Sequence, residues 1–87
     1  MGVYYLHLRG GEDEVLDEEG MSYASLAELH DMVLVCAREV LCADIRDGVL
    51  DLRGRIDAED DAGVVVHSLQ LIDSVRLRGG VMEKLSI

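Results

Sequence analysis

The chain contains no phenylalanine and no tryptophan, and its aromatic content is three tyrosines in 87 residues. A core built around large ring anchors is therefore excluded, as is a large aromatic-lined pocket. Basic residues are also scarce: eight Lys and Arg stand against eighteen Asp and Glu, for a formal net charge of −10. Such a surface repels phosphate backbones and anionic headgroups, which argues against direct binding of nucleic acid or membrane. Long apolar runs are missing. The longest is MVLVCA, residues 32–37, far below the roughly 18 residues needed to span a bilayer. The N-terminal stretch MGVYYLHLRGG shows no charged start followed by a long apolar segment. Two cysteines without framework spacing read as reduced thiols, and the expected compartment is the cytoplasm. Gly2 suggests myristoylation, but Leu6 occupies the position where that signal needs Ser or Thr.

What is present is aliphatic. Thirteen Leu, eleven Val and four Ile predict a core assembled from many small side chains. At this length one domain is expected, burying about 60% of the surface its unfolded chain exposes. We place the packed domain at residues 1–78 and a short C-terminal tail at 79–87, divided at Gly79 and Gly80.

Periodicity orders the elements. From Val3 to Arg9 the chain alternates, with Tyr4, Leu6 and Leu8 on one face and Val3, Tyr5, His7 and Arg9 on the other. A second strand is expected over Glu14–Asp17, closing a hairpin through Gly10 and Gly11. Ser25 and Glu28 form a capping box ahead of an apolar run, which predicts a helix ending near Gly48. On it Leu26, Leu29, Val33, Cys36, Ala37 and Val40 share one stripe, flanked by Met32 and Ala43 on one side and Leu34 and Leu41 on the other. The resulting arc of about 200° exceeds what one sheet face requires. Either the C-terminal segment folds across the helix or a second copy of the chain does. RIDAE, with Ile56 and Ala58 inward, and VVVHSLQLI supply a second hairpin around the turn DDAG. The expected fold is α+β: a two-layer ββαββ unit, a four-stranded antiparallel sheet with one long helix on one face.

Candidate chemistry is thin. Glu12 to Glu19 packs six carboxylates into eight positions, yet no calcium-loop register fits. From Asp13 the third position is Val15, from Asp17 the fifth is Met21, and from Asp57 the sixth and twelfth are Ala62 and Ser68. Both this cluster and Asp57, Glu59, Asp60 and Asp61 read as solvated hairpin ends. His7, His30 and His67 sit on three separate elements without the spacing of a metal pair; His7 could still lie opposite His67 across the sheet. Ser68 and His67 are adjacent on a strand, so they point to opposite faces and cannot form a nucleophile and base. Cys36 and Cys42 diverge by about 120° around the helix, which excludes an intrahelical disulfide. The glycines of RGGEDE and RLRGGV lack phosphate-loop spacing, and no motif asks for a cofactor or a metal. Arg53, Arg55, Arg76 and Arg78 are expected to pair with nearby acids.

YYLHLRGGEDEVLDEEG, then SLAELHDMVLVCAREVL, then GRIDAEDDAGVVVHSLQLIDSV resembles a family of small bacterial proteins carried as a domain of unknown function. His7, Leu8, Arg9, Asp17, Glu18, Glu19, Gly20, Gly63, Asp73 and Val75 carry the likeness over residues 3–75. Leu6 and Leu71 stand where the family often has Phe, and Ser74 where Ala is usual. The resemblance implies the same fold and brings no activity with it. A weaker likeness, in hairpin-then-helix order alone, is to HicB-type antitoxins, which bind a toxin protein.

One helix covers one face of a sheet, so the face bearing Tyr5, His7 and Arg9 must be solvated or covered by a partner. With the wide helical stripe, this predicts a homodimer or a docked protein partner. The expected function is a non-catalytic interaction or regulatory module, its carriers Tyr5, His7, Arg9, Met32, Val35 and Cys42. Two other readings compete: a metal-dependent hydrolase using His7, His67 and the acidic-turn carboxylates, and a nucleic-acid mimic or antitoxin-like protein recognised through its acidic surface.

Overall fold

The alternation at the N-terminus becomes strand β1, Val3–Arg9, in a computed structural model that describes residues 2–78. The proposed tail at 79–87 lies outside the described residues. After β1 come strand β2 (Met21–Ser22), helix α1 (Leu26–Asp47), strands β3 (Arg55–Glu59) and β4 (Val65–Gln70), and one 3₁₀ turn over Leu71–Ser74. The strands form one antiparallel sheet in the order β2-β1-β3-β4. The chain is thus an α+β domain with strand–strand–helix–strand–strand connectivity, as its periodicity predicts. Among the described residues no helix is long and apolar enough to cross a membrane.

The second strand falls elsewhere than expected. Residues 14–17 contribute one isolated bridge, Leu8 to Val15, and β2 forms only at Met21–Ser22, pairing Val3 with Ser22 and Tyr4 with Met21. The physical reason is the turn at Asp17–Gly20. Asp17 Oδ1 accepts from the amides of Glu19 and Gly20, both at 3.1 Å, and this bends the chain out of strand geometry before it rejoins the sheet.

Ser25 caps α1: its Oγ accepts from the Glu28 amide at 3.1 Å. The return contact from the Glu28 side chain is not among the hydrogen bonds of the described residues, so half of the capping box is present. Gly48, at φ 82°, ends the helix in a left-handed turn that satisfies the carbonyls of Asp44 and Ile45.

The core lies between α1 and the sheet. Leu29, Val33, Ala37 and Leu41 are the buried helix residues, packed on Ile56, Ala58 and Leu71, with Tyr4, Leu6, Leu8, Cys36 and Val40 around them. This i, i+4 row is rotated from the predicted stripe, so Leu41 goes in while Leu26 stays 49% exposed. The core is not purely aliphatic, because Tyr23 is buried against Tyr4 with ring centroids 6.1 Å apart. The wide helical arc is explained in part by the chain's own C-terminal segment. The 3₁₀ turn folds over α1, burying Leu71 and Ser74, and the Arg38 Nε–H donates to the Ser74 carbonyl at 2.8 Å.

These positions separate two residues that sequence pattern treats alike. Leu29→Ala should lower unfolding free energy by about 3 kcal/mol, the cost of a buried leucine truncation, and Leu26→Ala by less than about 1 kcal/mol. Urea denaturation followed by circular dichroism checks both.

Candidate functional site

The face of the sheet turned away from α1 is where the polar residues of β1, β3 and β4 meet. The register puts Tyr5 beside Glu59, His7 beside Asp57 and Arg9 beside Arg55, and continues Asp57 to Ser68 on β4. Alternation sends all of these to one side, since Leu6, Leu8, Ile56 and Ala58 occupy the core side.

Asp57 is the node. Its carboxylate accepts from Ser68 Oγ at 2.7 Å, Arg9 at 3.0 Å and Arg55 Nε at 3.2 Å. Arg9 also reaches Glu59 at 2.6 Å, and Glu59 contacts His7 Nε2 at 3.3 Å. His7 closes the set from the other side: its Nδ1 accepts the Asp17 amide at 3.0 Å. That bond leaves the ring hydrogen on Nε2, directed at Glu59. Tyr5 stacks along His7 with rings nearly parallel and centroids 6.5 Å apart.

Residues 17–20 lie against the β1 end of this network. Besides capping Glu19 and Gly20, Asp17 accepts the Leu6 amide at 3.3 Å, so one carboxylate both shapes the turn and ties it to β1. Gly20, at φ +72°, crosses directly over the strand; a Cβ there would meet Tyr5 Cε2 at 2.7 Å and Val3 Cγ1 at 2.8 Å. Only glycine fits that approach. The run Asp17-Glu18-Glu19-Gly20 is thus a folding device, which corrects the expectation of a wholly solvated turn. The same correction applies to Asp57, which is buried, and Asp60 caps its own turn by accepting the amides of Ala62 and Val64. Physically, a carboxylate can leave water when several donors replace its hydration.

Charge states follow from these contacts. Burial pushes the Asp57 carboxyl up, but Ser68, Arg9 and Arg55 outweigh it and hold it below the usual carboxylate range. Burial likewise acts upward on Asp17 and is outweighed by the amides of Gly20, Glu19 and Leu6 and by His7. Glu59 first, then Asp57, hold the Arg9 guanidinium more firmly protonated.

The predicted carriers divide into two groups. Tyr5, His7 and Arg9 come together, with His7 only 7% exposed and Arg9 engaged by two carboxylates, while Ser68 and Gln70 on β4 remain exposed on the same face. Met32, Val35 and Cys42 lie on the outer side of α1 and are exposed. His7 does not lie opposite His67. His67 pairs with Ala58 on the core side and stacks on His30 with centroids 4.0 Å apart, so the imidazoles of the hydrolase reading stand on opposite faces. Among the described residues no three His, Cys, Asp or Glu side chains converge to hold a metal ion. A cleft of about 170 Å³ beside Leu8, Val40 and Leu71, rimmed by Asp44, Asp47 and Asp51, is below the size of pockets that enclose a small-molecule ligand, about 300–1,000 Å³. At its edge Asp51 accepts the Glu12 amide at 2.9 Å and pairs with Arg53, and that guanidinium holds its carboxyl well below the usual range. With Arg55 on Asp57, two of the four paired-arginine expectations are met. Both cysteines are free. Sequence reasoning missed Asp57, Glu59 and Ser68, although their alternation with Ile56, Ala58 and Leu69 was the available signal.

A small antiparallel sheet with one helix, its second face crossed by an acid–base network, is the class these features define. The chain belongs to the family described as Domain of unknown function (DUF6894), whose model matches residues 3–72. No curated protein and no solved structure matches it.

Two variants test the electrostatics. Asp57→Ala leaves Arg9 and Arg55 short of an acceptor and should cost about 3 kcal/mol in urea unfolding. Because the folded Asp57 carboxyl lies below its unfolded value of 3.8, its contribution is present above about pH 4 and is lost as pH falls further. The Asp57→Asn unfolding midpoint should accordingly fall less steeply below pH 4 than that of the parent chain. His67 behaves independently, since burial and then His30 push its ring below the ordinary 6.5. Stability should decline as pH drops below about 6.5, where the unfolded ring binds a proton that the folded one resists. His67→Gln should flatten that slope while leaving the limb below pH 4 intact.

Proposed function

We propose that this domain is a non-catalytic interaction module of the cytoplasm, with a regulatory role carried out by docking protein rather than by transforming a substrate. The observation that carries this reading is how the polar and apolar groups are disposed. The groups suited to chemistry saturate one another across the outer sheet face, from Ser68 through Asp57, Arg9 and Glu59 to His7. Apolar side chains, by contrast, remain bare on the helix: Met32 is 38% and Val35 44% exposed, with the Cys42 thiol further along the same ridge. Residues at i, i+3 and i+10 share one helical flank.

Charges of both signs border that ridge, Glu28 and Asp31 at one end, Arg38 and Glu39 in its middle and Arg46 one turn beyond Cys42. The surface that fits it has apolar side chains at its centre and charged groups of both signs around them. Either a second copy using another face or a different protein meets that description. Free thiols in the described chain support a reducing compartment.

The native Cys42 thiol gives a direct test. A photo-crosslinker attached there, in a Cys36→Ser background, should capture a discrete protein band in extract from the source cell. Adding Met32→Glu and Val35→Glu should remove that band at least tenfold while the circular dichroism spectrum stays unchanged. Diffuse or absent capture from a folded, monomeric chain would sink the reading.

A further inference from the structure

Two imidazoles stand apart from the polar network, on the opposite side of the sheet. His30 of α1 and His67 of β4 stack with ring centroids 4.0 Å apart and planes 27° from parallel, the first residue exposed and the second half-buried. They join the helix to an edge. Among the described strands β4 pairs only with β3, so nothing in the sheet holds β4 from its other side.

The surroundings of the pair supply no counter-charge. One turn to either side of His30 stand Leu26, Ala27, Val33 and Leu34, while the sheet offers Ala58 across from His67 and Leu69 two residues along. The nearest acids are committed elsewhere or open to water. Glu59 is held by Arg9 and His7 on the opposite face, Asp60 caps its own turn, and Glu28, Asp31 and Asp61 are exposed. Among the described residues neither ring is paired with a carboxylate. Burial first, and then His30, hold His67 below its ordinary 6.5.

The strand is loosened at the same place. The register slips between Ala58 and Glu59, which lie opposite His67 and Val65, and passes over Val66. A bulge of this kind interrupts the ladder locally. The far half of β4 is fastened without the rings: Leu71 is buried, its amide donates to the Gly54 carbonyl at 3.0 Å, and the Arg38 Nε–H donates to the Ser74 carbonyl just beyond. Residues 65–67 have the histidine stack in place of those fastenings.

We propose that His30 and His67 form a proton-operated latch: with at most one proton between them the rings stack and hold the first half of β4 on α1, and with two they part and release it. Two imidazolium rings at 4.0 Å repel each other, and each regains its hydration on separation. Opening and protonation are therefore linked. Parted rings bind protons near the ordinary 6.5 whereas the stacked pair resists the second one, so the latch is closed at neutral pH and opens as pH falls below about 6.5. It needs no partner and stands apart from the docking reading.

NMR titration of the intact chain, following the Cε1–H signals of both rings, reads the coupling directly. The expected result is that the second proton binds at least about tenfold more weakly than the first. Amide hydrogen exchange reads the opening. The ladder turns the His67 amide toward β3; between about pH 7 and about pH 5, after correction for intrinsic exchange, its opening should increase at least about tenfold while that of Leu71 stays unchanged. His30→Phe keeps a ring in the stack without a second charge, and should abolish this pH response. Should Phe perturb the packing, His30→Gln gives a second measurement, in which His67 titrates in one step and closer to 6.5. A role in packing alone predicts lower protection of His67 in His30→Gln at every pH and no change of its titration, and that result overturns the latch. So does a pH response of the His67 amide that survives undiminished in His30→Phe.

Discussion

The Asp57 carboxylate holds together the face of the sheet that no helix covers. A sheet with a helix on one side has a second face that needs either apolar cover or satisfied polar groups, and this chain takes the second route. Asp57 sits on β3 between Arg9 of β1 and Ser68 of β4, and Arg55 completes its shell from the same strand. One side chain thereby links three strands. The arrangement is tolerable in energy because each partner also has another acceptor or water available: Arg9 shares itself with Glu59, and Arg55 is partly exposed. Removing the anion leaves two cations facing each other across a strand pair, whereas removing either cation leaves the other still in place.

Asp17 extends the same logic into the loop. Its carboxylate organises the turn through Glu19 and Gly20, and its amide fixes the His7 ring. Gly20 then brings the chain across Tyr5 at a distance no side chain allows. Loop and sheet face are therefore one cooperative unit, and much of the dense acidity at residues 12–19 surrounds a single structural aspartate. The remaining acids there, Glu12, Asp13, Glu14, Glu18 and Glu19, are exposed and contribute mainly to net charge.

How much of this could be read from sequence depends on whether the signal was periodic. The strand alternation of Val3–Arg9, the helix from Ser25 to Gly48 and the inward Ile56 and Ala58 are periodic, and they appear in the structure at those positions. The second strand was misplaced because Val15 and Leu16 look like a strand centre in isolation, and only the Asp17 turn shows why they stay 60% and 53% exposed. A turn made by one carboxylate has no period. Tyr23 escaped for a similar reason: it lies between elements, and its burial comes from packing on Tyr4. The site suffered most, since pairing Arg9 with Asp57 requires knowing that β1 neighbours β3, a sheet order that length and composition do not determine.

The closed polar face also bears on where the domain can meet other molecules. A surface whose donors and acceptors are mutually satisfied loses those bonds if a partner is to use them, so it makes a poor docking site despite its density of functional groups. Exposed apolar helix positions and unpaired strand edges have the opposite property: water gains nothing specific from them, and contact releases it. In this chain the two kinds of surface are segregated. Polar groups gather on the outer sheet face, while bare aliphatic groups lie along α1 and β4. The ridge and the edge are separate elements with separate chemistry, one bordered by charges of both signs and the other uncharged.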